Sequence, residues 1–389
     1  MKRFDHLLSR ADDSILARWW WTVDRFLLVL VVLLIAIGLL LSFAASPAVA
    51  ERLGLSPFHF AIRQSVFAGI SLVVLLGVSL LDRRDARRVG VFVGLAGLVL
   101  VAMTLIVGET AKGASRWLDL GPVALQPSEF LKPGLIVMSA WLLAGAMHER
   151  RFPGLSLSLL LMMAAAALLL AQPDVGQTLL LGTAFSIQLL IFGVPFAWLG
   201  GIVAAVGGLL IGAYFIFPHV AQRIDAFLAS GPEGHLYQVA TALRALAVGG
   251  LFGRGPGEGM VKKVLPDAHT DFIFAAAGEE YGALAGIILL ALYALLVLRT
   301  LTHLLEEDDP FVVLAAGGLV SIVGLQAAIN IGVNLALLPP KGMTLPFISY
   351  GGSSLVASAF TIGLVLAFTR SARPRRAGLT AGMMRRVRA

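Results

Sequence analysis

Residues 26–45 read FLLVLVVLLIAIGLLLSFAA, twenty consecutive positions without a charged side chain. A helix needs about 20 apolar residues to cross a hydrocarbon core of about 30 Å. Comparable runs recur as far as Leu366, and they lack the two-residue alternation that is typical of barrel strands. Because unpaired backbone groups are costly in lipid, these runs predict membrane-spanning helices.

The whole chain has the composition of a membrane protein. Its 389 residues are 58% hydrophobic and only 14% charged, with a mean hydropathy of +0.88. Ordinary soluble domains are about 25% charged. The predicted fold class is therefore all-α, a polytopic integral membrane protein of about ten transmembrane helices. The predicted spans are 24–45, 59–81, 89–108, 128–147, 155–171, 175–192, 196–217, 281–301, 311–338 and 353–369.

The distribution of basic residues predicts the topology. Most of the 30 lysines and arginines fall in short segments that alternate with longer, less basic ones. An even number of spans then places both termini in the cytoplasm. We divide the chain into a cytoplasmic segment 1–23, a membrane domain 24–369 with a long outer loop 218–280, and a basic cytoplasmic tail 370–389.

Two function classes are disfavoured by composition. The net charge of +7 is spread over short loops beside apolar spans, which argues against a nucleic-acid surface. The chain contains no cysteine, so disulfides, thiolate catalysis and cysteine-ligated metal sites are excluded.

Two polar outer segments favour scaffold roles over direct chemistry. The first segment, residues 113–132, contains Arg116. At its end Glu129 and Lys132 are three residues apart on one helical face, and this spacing predicts an ion pair. A lone charge inside the membrane costs about 3 kcal/mol or more and is therefore usually paired. In the second, Asp174 stands at a helix start, where an N-cap accounts for it. The alternative for Asp174 is a polar contact that lines a cavity.

The outer loop 218–280 is the only segment long and polar enough for a built site. It contains Arg244, Arg254, Lys262 and Lys263, with a glycine-rich stretch from Gly249 to Gly257. Asp271 follows, where this loop turns back into an apolar helix. A helix cap shared with Thr270 and a general base whose pKa is raised near an apolar surface are equal alternatives for Asp271.

A fourth polar segment, residues 338–354, separates the last two spans and contains Lys341, Ser349 and Ser353. Its prolines and glycines break the helix at membrane depth. Irregular backbone there is tolerated only against protein or a wet cavity, so we expect this segment to line a site.

Several of these motifs, in this order, resemble the SEDS proteins of shape, elongation, division and sporulation, which are polytopic peptidoglycan polymerases of bacteria. The resemblance covers most of the chain. It is carried by four stretches, namely 116–129, 172–178, 265–274 and 349–354. The run from Lys341 to Tyr350 is similar to the cell-division member rather than the elongation member. One departure is Gln177, which stands between Gly176 and Thr178 where the family commonly reads Gly-Thr.

The resemblance implies a glycosyltransferase that polymerises lipid II outside the inner membrane during cell division, at the septum. Asp271 matches the family's proposed catalytic aspartate. Arg244, Arg254, Lys262, Lys263 and His269 would bind the substrate and its pyrophosphate, while Arg116, Glu129, Lys132, Asp174, Lys341, Ser349 and Ser353 would be structural or line the cavity. No protein metal site is expected. Mg²⁺ or Mn²⁺ at the pyrophosphate is left open.

The implied partners are a class B penicillin-binding protein (the division transpeptidase), other divisome proteins and membrane lipids, but no nucleic acid. Two other functions stay open. A lipid II flippase or transporter would also use broken helices and intramembrane charges. A division scaffold without chemistry would need neither Asp271 nor a polar outer loop.

Overall fold

The computed structural model describes residues 14–370 apart from 112–113, 120, 122–123, 217, 219–220, 222–224, 226–234 and 341. Twelve α-helices have defined bounds in that part of the chain. They are α1 Ile15–Thr22, α2 Arg25–Arg52, α3 His59–Ser79, α4 Arg83–Val107, α5 Pro127–His148, α6 Gly154–Ala171, α7 Val175–Phe192, α8 Phe196–Ile216, α9 His235–Gly249, α10 Ile273–Leu304, α11 Pro310–Asn334 and α12 Gly352–Phe368.

Each predicted span coincides with one helix, in the order α2 to α8 and then α10 to α12. Eight of them, α2 to α7 with α10 and α11, are long and apolar enough to cross a membrane, and α12 is a shorter apolar helix. The prediction of an all-α polytopic membrane protein is confirmed. The short helix α1 lies in the N-terminal segment, and α9 lies in the loop 218–280.

Four helices have an end that differs from the prediction by four residues or more: α4 begins at Arg83 rather than residue 89, α11 ends at Asn334 rather than residue 338, and α2 and α10 differ further. The first predicted span ends at residue 45, whereas α2 continues through Pro47 to Arg52. The predicted span 281–301 is the second part of α10, which begins eight residues earlier at Ile273 and is interrupted at Gly282 with φ 78° and ψ −179°. A side chain rarely adopts this φ, so the break requires glycine.

A small antiparallel sheet, which the sequence did not predict, connects α4 to α5. Strand β1 spans Glu109–Ala111, β2 spans Ala114–Asp119 and β3 spans Ala124–Leu125, in the order β1-β2-β3. Short polar strands between long apolar helices produce no clear periodic signal. The sheet carries Arg116 on β2.

The helix ends gather into two groups at opposite ends of the bundle. At the first, here called the basic end, Arg83 pairs with Glu307 at 2.6 Å, and Asp24 pairs with Arg299 at 2.8 Å. Arg370 also donates to the carbonyl of Leu80 there, at 3.1 Å. These contacts join the starts of α2, α4 and α11 to the ends of α3, α10 and α12.

The opposite group, here called the loop end, contains residues 249–272 and 342–351. Arg52 at the end of α2 donates to the Leu265 carbonyl at 3.1 Å, and Gln64 near the start of α3 donates to the Ser349 carbonyl at 3.1 Å. The central helix α11 contacts α5, α7, α10 and α12 and connects the two ends.

Small residues allow the helices to approach closely, as is common inside membranes. A Cβ atom added to Gly134 of α5 would lie 2.3 Å from the backbone of Gly94 in α4. A larger side chain at either position would separate these two helices.

Candidate functional site

Asp271 lies at the loop end, half-buried, two residues before α10 begins. A tight turn precedes it, in which the Asp267 carbonyl accepts from the amides of Thr270 at 3.1 Å and Phe272 at 3.2 Å. The N-cap of α10 is Phe272, whose side chain makes no cap hydrogen bond. Asp271 therefore stands one residue before the N-cap position.

Two asparagines of α11 hold the backbone of Asp271. The side-chain amides of Asn330 and Asn334 donate to the Asp271 carbonyl at 2.9 Å and 3.0 Å. Asn330 also donates to the Met343 carbonyl at 2.6 Å, and Asn334 accepts from the Ala275 amide at 3.0 Å. Both side chains are buried. One polar patch on α11 therefore joins the Asp271 segment to the segment that follows α11.

That following segment, residues 342–351, packs directly against Asp271. The Ser349 hydroxyl donates to the Thr270 carbonyl at 2.6 Å, and the Tyr350 amide donates to the His269 carbonyl at 2.9 Å. A Cβ atom on Gly342, whose φ is +64°, would lie 3.6 Å from Asp271 Oδ2. The structure thus brings Ser349 and Asp271 together, while Lys341 lies outside the described residues.

His269 is buried beside Asp271 between two aromatic rings. Its ring centroid is 4.5 Å from that of Phe60 and 5.3 Å from that of Tyr350. Burial lowers the pKa of His269 to about 4, against a weaker opposing effect of Asp267. Burial favours the neutral ring, which can donate one hydrogen bond but brings no positive charge, and the binding of substrate by His269 stays a prediction.

The expectation for Lys262 also needs correction, because its ammonium group is buried. The Nζ atom pairs with the Glu280 carboxylate and donates to the Ala44 carbonyl at 2.9 Å. Burial lowers the pKa of Lys262 although the neighbouring Glu279 opposes this shift. In the structure, Lys262 fastens the loop to α10 and α2 rather than facing a substrate.

Two glutamates of α10 fold the loop that carries Lys262. Glu279 is fully buried and accepts from the backbone amides of Val261 and Lys262, both at 2.7 Å. Glu280 accepts from the Gly257 amide at 3.2 Å. Carboxylates that accept backbone amides form strong hydrogen bonds, so residues 257–262 have a defined path.

The other predicted cations of the loop are exposed. Arg244 is on α9, Arg254 follows the glycine-rich turn, and Lys263 is next to the buried Lys262. Arg254 Nε donates to the Val248 carbonyl at 3.1 Å. These three side chains can therefore reach an anion outside the helical bundle.

Arg116 fixes the turn before α7. Its Nε atom lies 3.3 Å from the Gln172 carbonyl and 3.5 Å from Asp174 Oδ2, and its Nη2 atom donates to the Pro173 carbonyl. Asp174 is the N-cap of α7 and accepts from the Gln177 amide at 3.2 Å. The N-cap prediction for Asp174 is confirmed.

The predicted ion pair between Glu129 and Lys132 is confirmed, with a distance of 3.0 Å between two buried side chains. Gln177 donates to Glu129 at 2.8 Å, and Lys132 donates to Gln326 Oε1 at 2.8 Å. Gln326 in turn donates to the Thr344 carbonyl at 3.1 Å. The pair is thus hydrogen-bonded on both sides, which offsets the penalty of burying charge.

A small cavity adjoins this network between α5, α11 and α12. Its volume, measured as the space open to the centre of a water molecule, is about 10 Å³, so it holds about one water molecule. Glu129, Lys132, Gln326, Ser358 and Thr361 are among its lining residues. It is too small for a sugar.

Ser353 joins the small sheet to α12. Its hydroxyl accepts from the Gln126 amide at 3.1 Å and donates to the Ala124 carbonyl at 3.3 Å. This contact anchors β3 at the start of α12 and supports a structural role.

Sequence reasoning missed Asn330, Asn334 and Gln326. The available signal was three amide side chains at four-residue spacing in an otherwise apolar helix, which places them on one face. In the described part of the chain, no group of three or more acidic or histidine side chains could hold a metal ion.

Comparison with known proteins gives matches over most of the chain. The family model described as "Cell cycle protein", which covers FtsW, RodA and SpoVE, matches residues 24–374. A "Probable peptidoglycan glycosyltransferase FtsW" of Caulobacter vibrioides is 47% identical over 366 residues, with 94% of each chain covered. Its counterpart in Geobacter metallireducens is 35% identical, covering 88% of this chain and 93% of the relative.

Solved structures agree. A chain from work described as "Structural coordination of polymerization and crosslinking by a peptidoglycan synthase complex" matches with a TM-score of 0.73 and 30% identity, covering 89% of this chain and 97% of that chain. RodA of Thermus thermophilus matches with a TM-score of 0.67 and 29% identity, covering 91% and 99%. The chain therefore belongs to the FtsW/RodA/SpoVE family of membrane-spanning cell cycle proteins, the SEDS proteins.

Proposed function

We propose that this protein is a peptidoglycan glycosyltransferase that polymerises lipid II into glycan strands during cell division. The observation that carries the proposal is the similarity along 94% of the chain to a probable peptidoglycan glycosyltransferase FtsW. The site adds a chemical basis, because a half-buried carboxylate lies where the loop end meets the helical bundle.

In the proposed reaction, Asp271 acts as the general base. It removes the proton from the 4-hydroxyl of the acceptor's GlcNAc, whose oxygen attacks the anomeric carbon of the donor's MurNAc from the face opposite the leaving group. The bond to undecaprenyl pyrophosphate breaks, and the configuration at that carbon inverts. Pyrophosphate leaves as a stable anion, so a second carboxylate is not required as an acid.

We further propose that exposed cations stabilise the departing pyrophosphate. Arg244, Arg254 and Lys263 are suited to this role, because their side chains are exposed on the same loop as Asp271. Mg²⁺ or Mn²⁺ prefers several oxygen ligands. Since the described residues form no acidic cluster for such an ion, it would take most ligands from pyrophosphate and water.

We propose that the loop end faces the outside of the inner membrane and that both termini are cytoplasmic. Arg83, Arg299 and Arg370 all lie at the basic end, as the positive-inside rule requires of a cytoplasmic surface. The proposed location is the division septum. The proposed partner is a class B penicillin-binding protein, the division transpeptidase, by analogy with the synthase complex whose chain is similar.

The decisive experiment measures polymerisation of fluorescent lipid II by the purified full-length chain, with and without the transpeptidase. Asp271→Asn and Asp271→Ala should abolish glycan synthesis while the thermal unfolding midpoint stays near that of the wild type. Glu258→Gln, which changes an exposed acid of the same loop, is the matched control and should retain the wild-type rate. Wild-type activity in both Asp271 variants would refute the proposed mechanism.

The same preparation discriminates the two alternatives. A flippase would move labelled lipid II between the leaflets of proteoliposomes without extending glycan. A scaffold without chemistry would support normal growth with Asp271 replaced and fail when the tail 370–389 is deleted.

A further inference from the structure

The glycine-rich turn at the loop end presents two large apolar side chains outward. Leu251 is 69% exposed and Phe252 is 82% exposed, between Gly250 with φ +58° and Gly253 with φ +83°. Single exposed apolar residues are common on proteins. Two adjacent large ones at the tip of a tight turn need a physical explanation.

The turn is fastened to the interruption in α10. The amides of Ala283 and Leu284 donate to the carbonyls of Gly250 and Leu251 at 2.8 Å and 3.3 Å. On the other side of the break, the amides of Arg254 and Gly255 donate to the carbonyls of Glu279 and Glu280 at 2.9 Å and 3.0 Å. The turn therefore replaces the helical hydrogen bonds that α10 loses at Gly282.

This attachment requires close backbone contact. A Cβ atom on Gly282 would lie 2.2 Å from the Leu251 carbonyl oxygen, and one on Gly253 would lie 2.1 Å from the Glu280 carbonyl oxygen. The position of Leu251 and Phe252 relative to α10 is thus set by backbone hydrogen bonds and tight packing.

The uncharged stretch of α10 indicates how deep in the membrane the turn Gly250–Gly253 lies. Residues 281–298 carry no charged side chain. At 1.5 Å per residue this uncharged run is about 27 Å long, close to the hydrocarbon thickness of about 30 Å. Leu284, which is bonded to Leu251, lies about one helical turn inside the edge of the run.

The adjoining surface of α10 is apolar and exposed on the outside of the bundle. Leu284 is 52% exposed, Ile287 is 61% exposed and Ile288 is 48% exposed. Leu251 shares a backbone hydrogen bond with Leu284 and so continues this apolar surface towards the loop end. Arg254 is exposed two residues after Phe252, at the level where a cation can reach phospholipid headgroups.

We propose that the turn Gly250–Gly253 is a membrane-inserted tip, with Leu251 and Phe252 in contact with phospholipid acyl chains at the outer edge of the hydrocarbon core. The tip anchors the beginning of the segment that leads to Asp271. This inference is independent of the proposed glycosyltransferase activity, because it concerns only where the turn lies relative to lipid.

The chain contains no cysteine, so a single introduced cysteine can be labelled selectively. The full-length Phe252→Cys variant is labelled with a nitroxide in nanodiscs of phosphatidylethanolamine and phosphatidylglycerol. Collisions with oxygen, which concentrates in lipid, are compared with collisions with a water-soluble nickel chelate. Ile287→Cys on the exposed apolar surface of α10 and Glu258→Cys in the polar loop are the matched controls.

The expected ratio of oxygen to nickel collisions at position 252 is close to that at position 287 and several-fold above that at position 258. Leu251→Cys provides a second variant and should give the same pattern. A ratio at position 252 equal to that at position 258 would place the tip in water. Protection from both reagents would mean that protein, such as a second copy of the chain, covers the tip, and either result overturns the proposal.

Discussion

Replacement of Asn330 tests whether α11 positions Asp271. Asn330 donates to the carbonyls of Asp271 and Met343, and its side chain is almost completely buried. Asn330→Leu keeps the branched shape and the number of heavy atoms of the side chain and removes both N–H donors. The variant therefore loosens the connection between Asp271 and the 342–351 segment without changing a group proposed to react.

The magnitude follows from the number of hydrogen bonds. Each lost bond contributes about 1 kcal/mol net, and a buried carbonyl left unsatisfied costs about 1–3 kcal/mol. The Asp271 carbonyl keeps its bond to Asn334, so the larger penalty falls on Met343. We expect a loss of stability of about 2–4 kcal/mol in total.

The effect on rate depends on how far Asp271 moves. A displacement of about 1 Å at a reacting group can lower a rate about 100-fold. Because the side-chain amide of Asn334 still donates to the Asp271 carbonyl, we expect kcat for lipid II polymerisation to fall about 10- to 100-fold. KM should change little, since Asn330 is buried and bonded to backbone rather than exposed to substrate.

The assay measures initial rates of glycan synthesis over a range of lipid II concentrations, with the thermal unfolding midpoint recorded for each variant. Ser321→Ala is the control, because the Ser321 hydroxyl donates within α11, to the Gly317 carbonyl at 2.7 Å, and makes no other hydrogen bond among the described residues. It should leave kcat unchanged. A lower unfolding midpoint in Asn330→Leu with wild-type kcat would refute the positioning role, and a large rise in KM alone would mean that Asn330 contacts the substrate.

Three further predictions concern the loop end. Lys262→Ala leaves the buried Glu280 carboxylate without its ion-pair partner and should destabilise the fold by about 3–5 kcal/mol. Lys263→Ala should keep the wild-type unfolding midpoint and slow polymerisation. Equal unfolding midpoints of the two variants would contradict the structural role of Lys262. Gly282→Ala, at φ +78° and against the Leu251 carbonyl, should lower the unfolding midpoint and the rate together, and a wild-type midpoint would show that the break tolerates a side chain. The pKa of His269 is lower in the folded than in the unfolded chain, so the unfolded state binds the proton more tightly. The free energy of unfolding should therefore fall by up to about 3 kcal/mol as the pH falls from about 6.5 to about 4. His269→Gln should remove this pH dependence from denaturation measurements, and an unchanged dependence in the variant would contradict the prediction.

The sequence by itself determined the long apolar helices, with ends that differ from the structure by up to eight residues. Uninterrupted apolar runs such as 26–45 have one stable form in lipid, because only a helix satisfies its own backbone there. The three-residue spacing of Glu129 and Lys132 likewise determined their ion pair, since residues at this spacing adjoin on a helix. Local rules were sufficient in both cases.

Only the tertiary structure decided which polar side chains are buried in ion pairs and hydrogen bonds and which stay exposed. Lys262 and Lys263 are neighbours in sequence, yet one is buried against Glu280 and the other is exposed, because the loop path depends on contacts with α10 and α2. The two amides that hold Asp271 come from a helix some sixty residues further along the chain. No local periodicity encodes such long-range hydrogen bonds, since they exist only after the helices have packed.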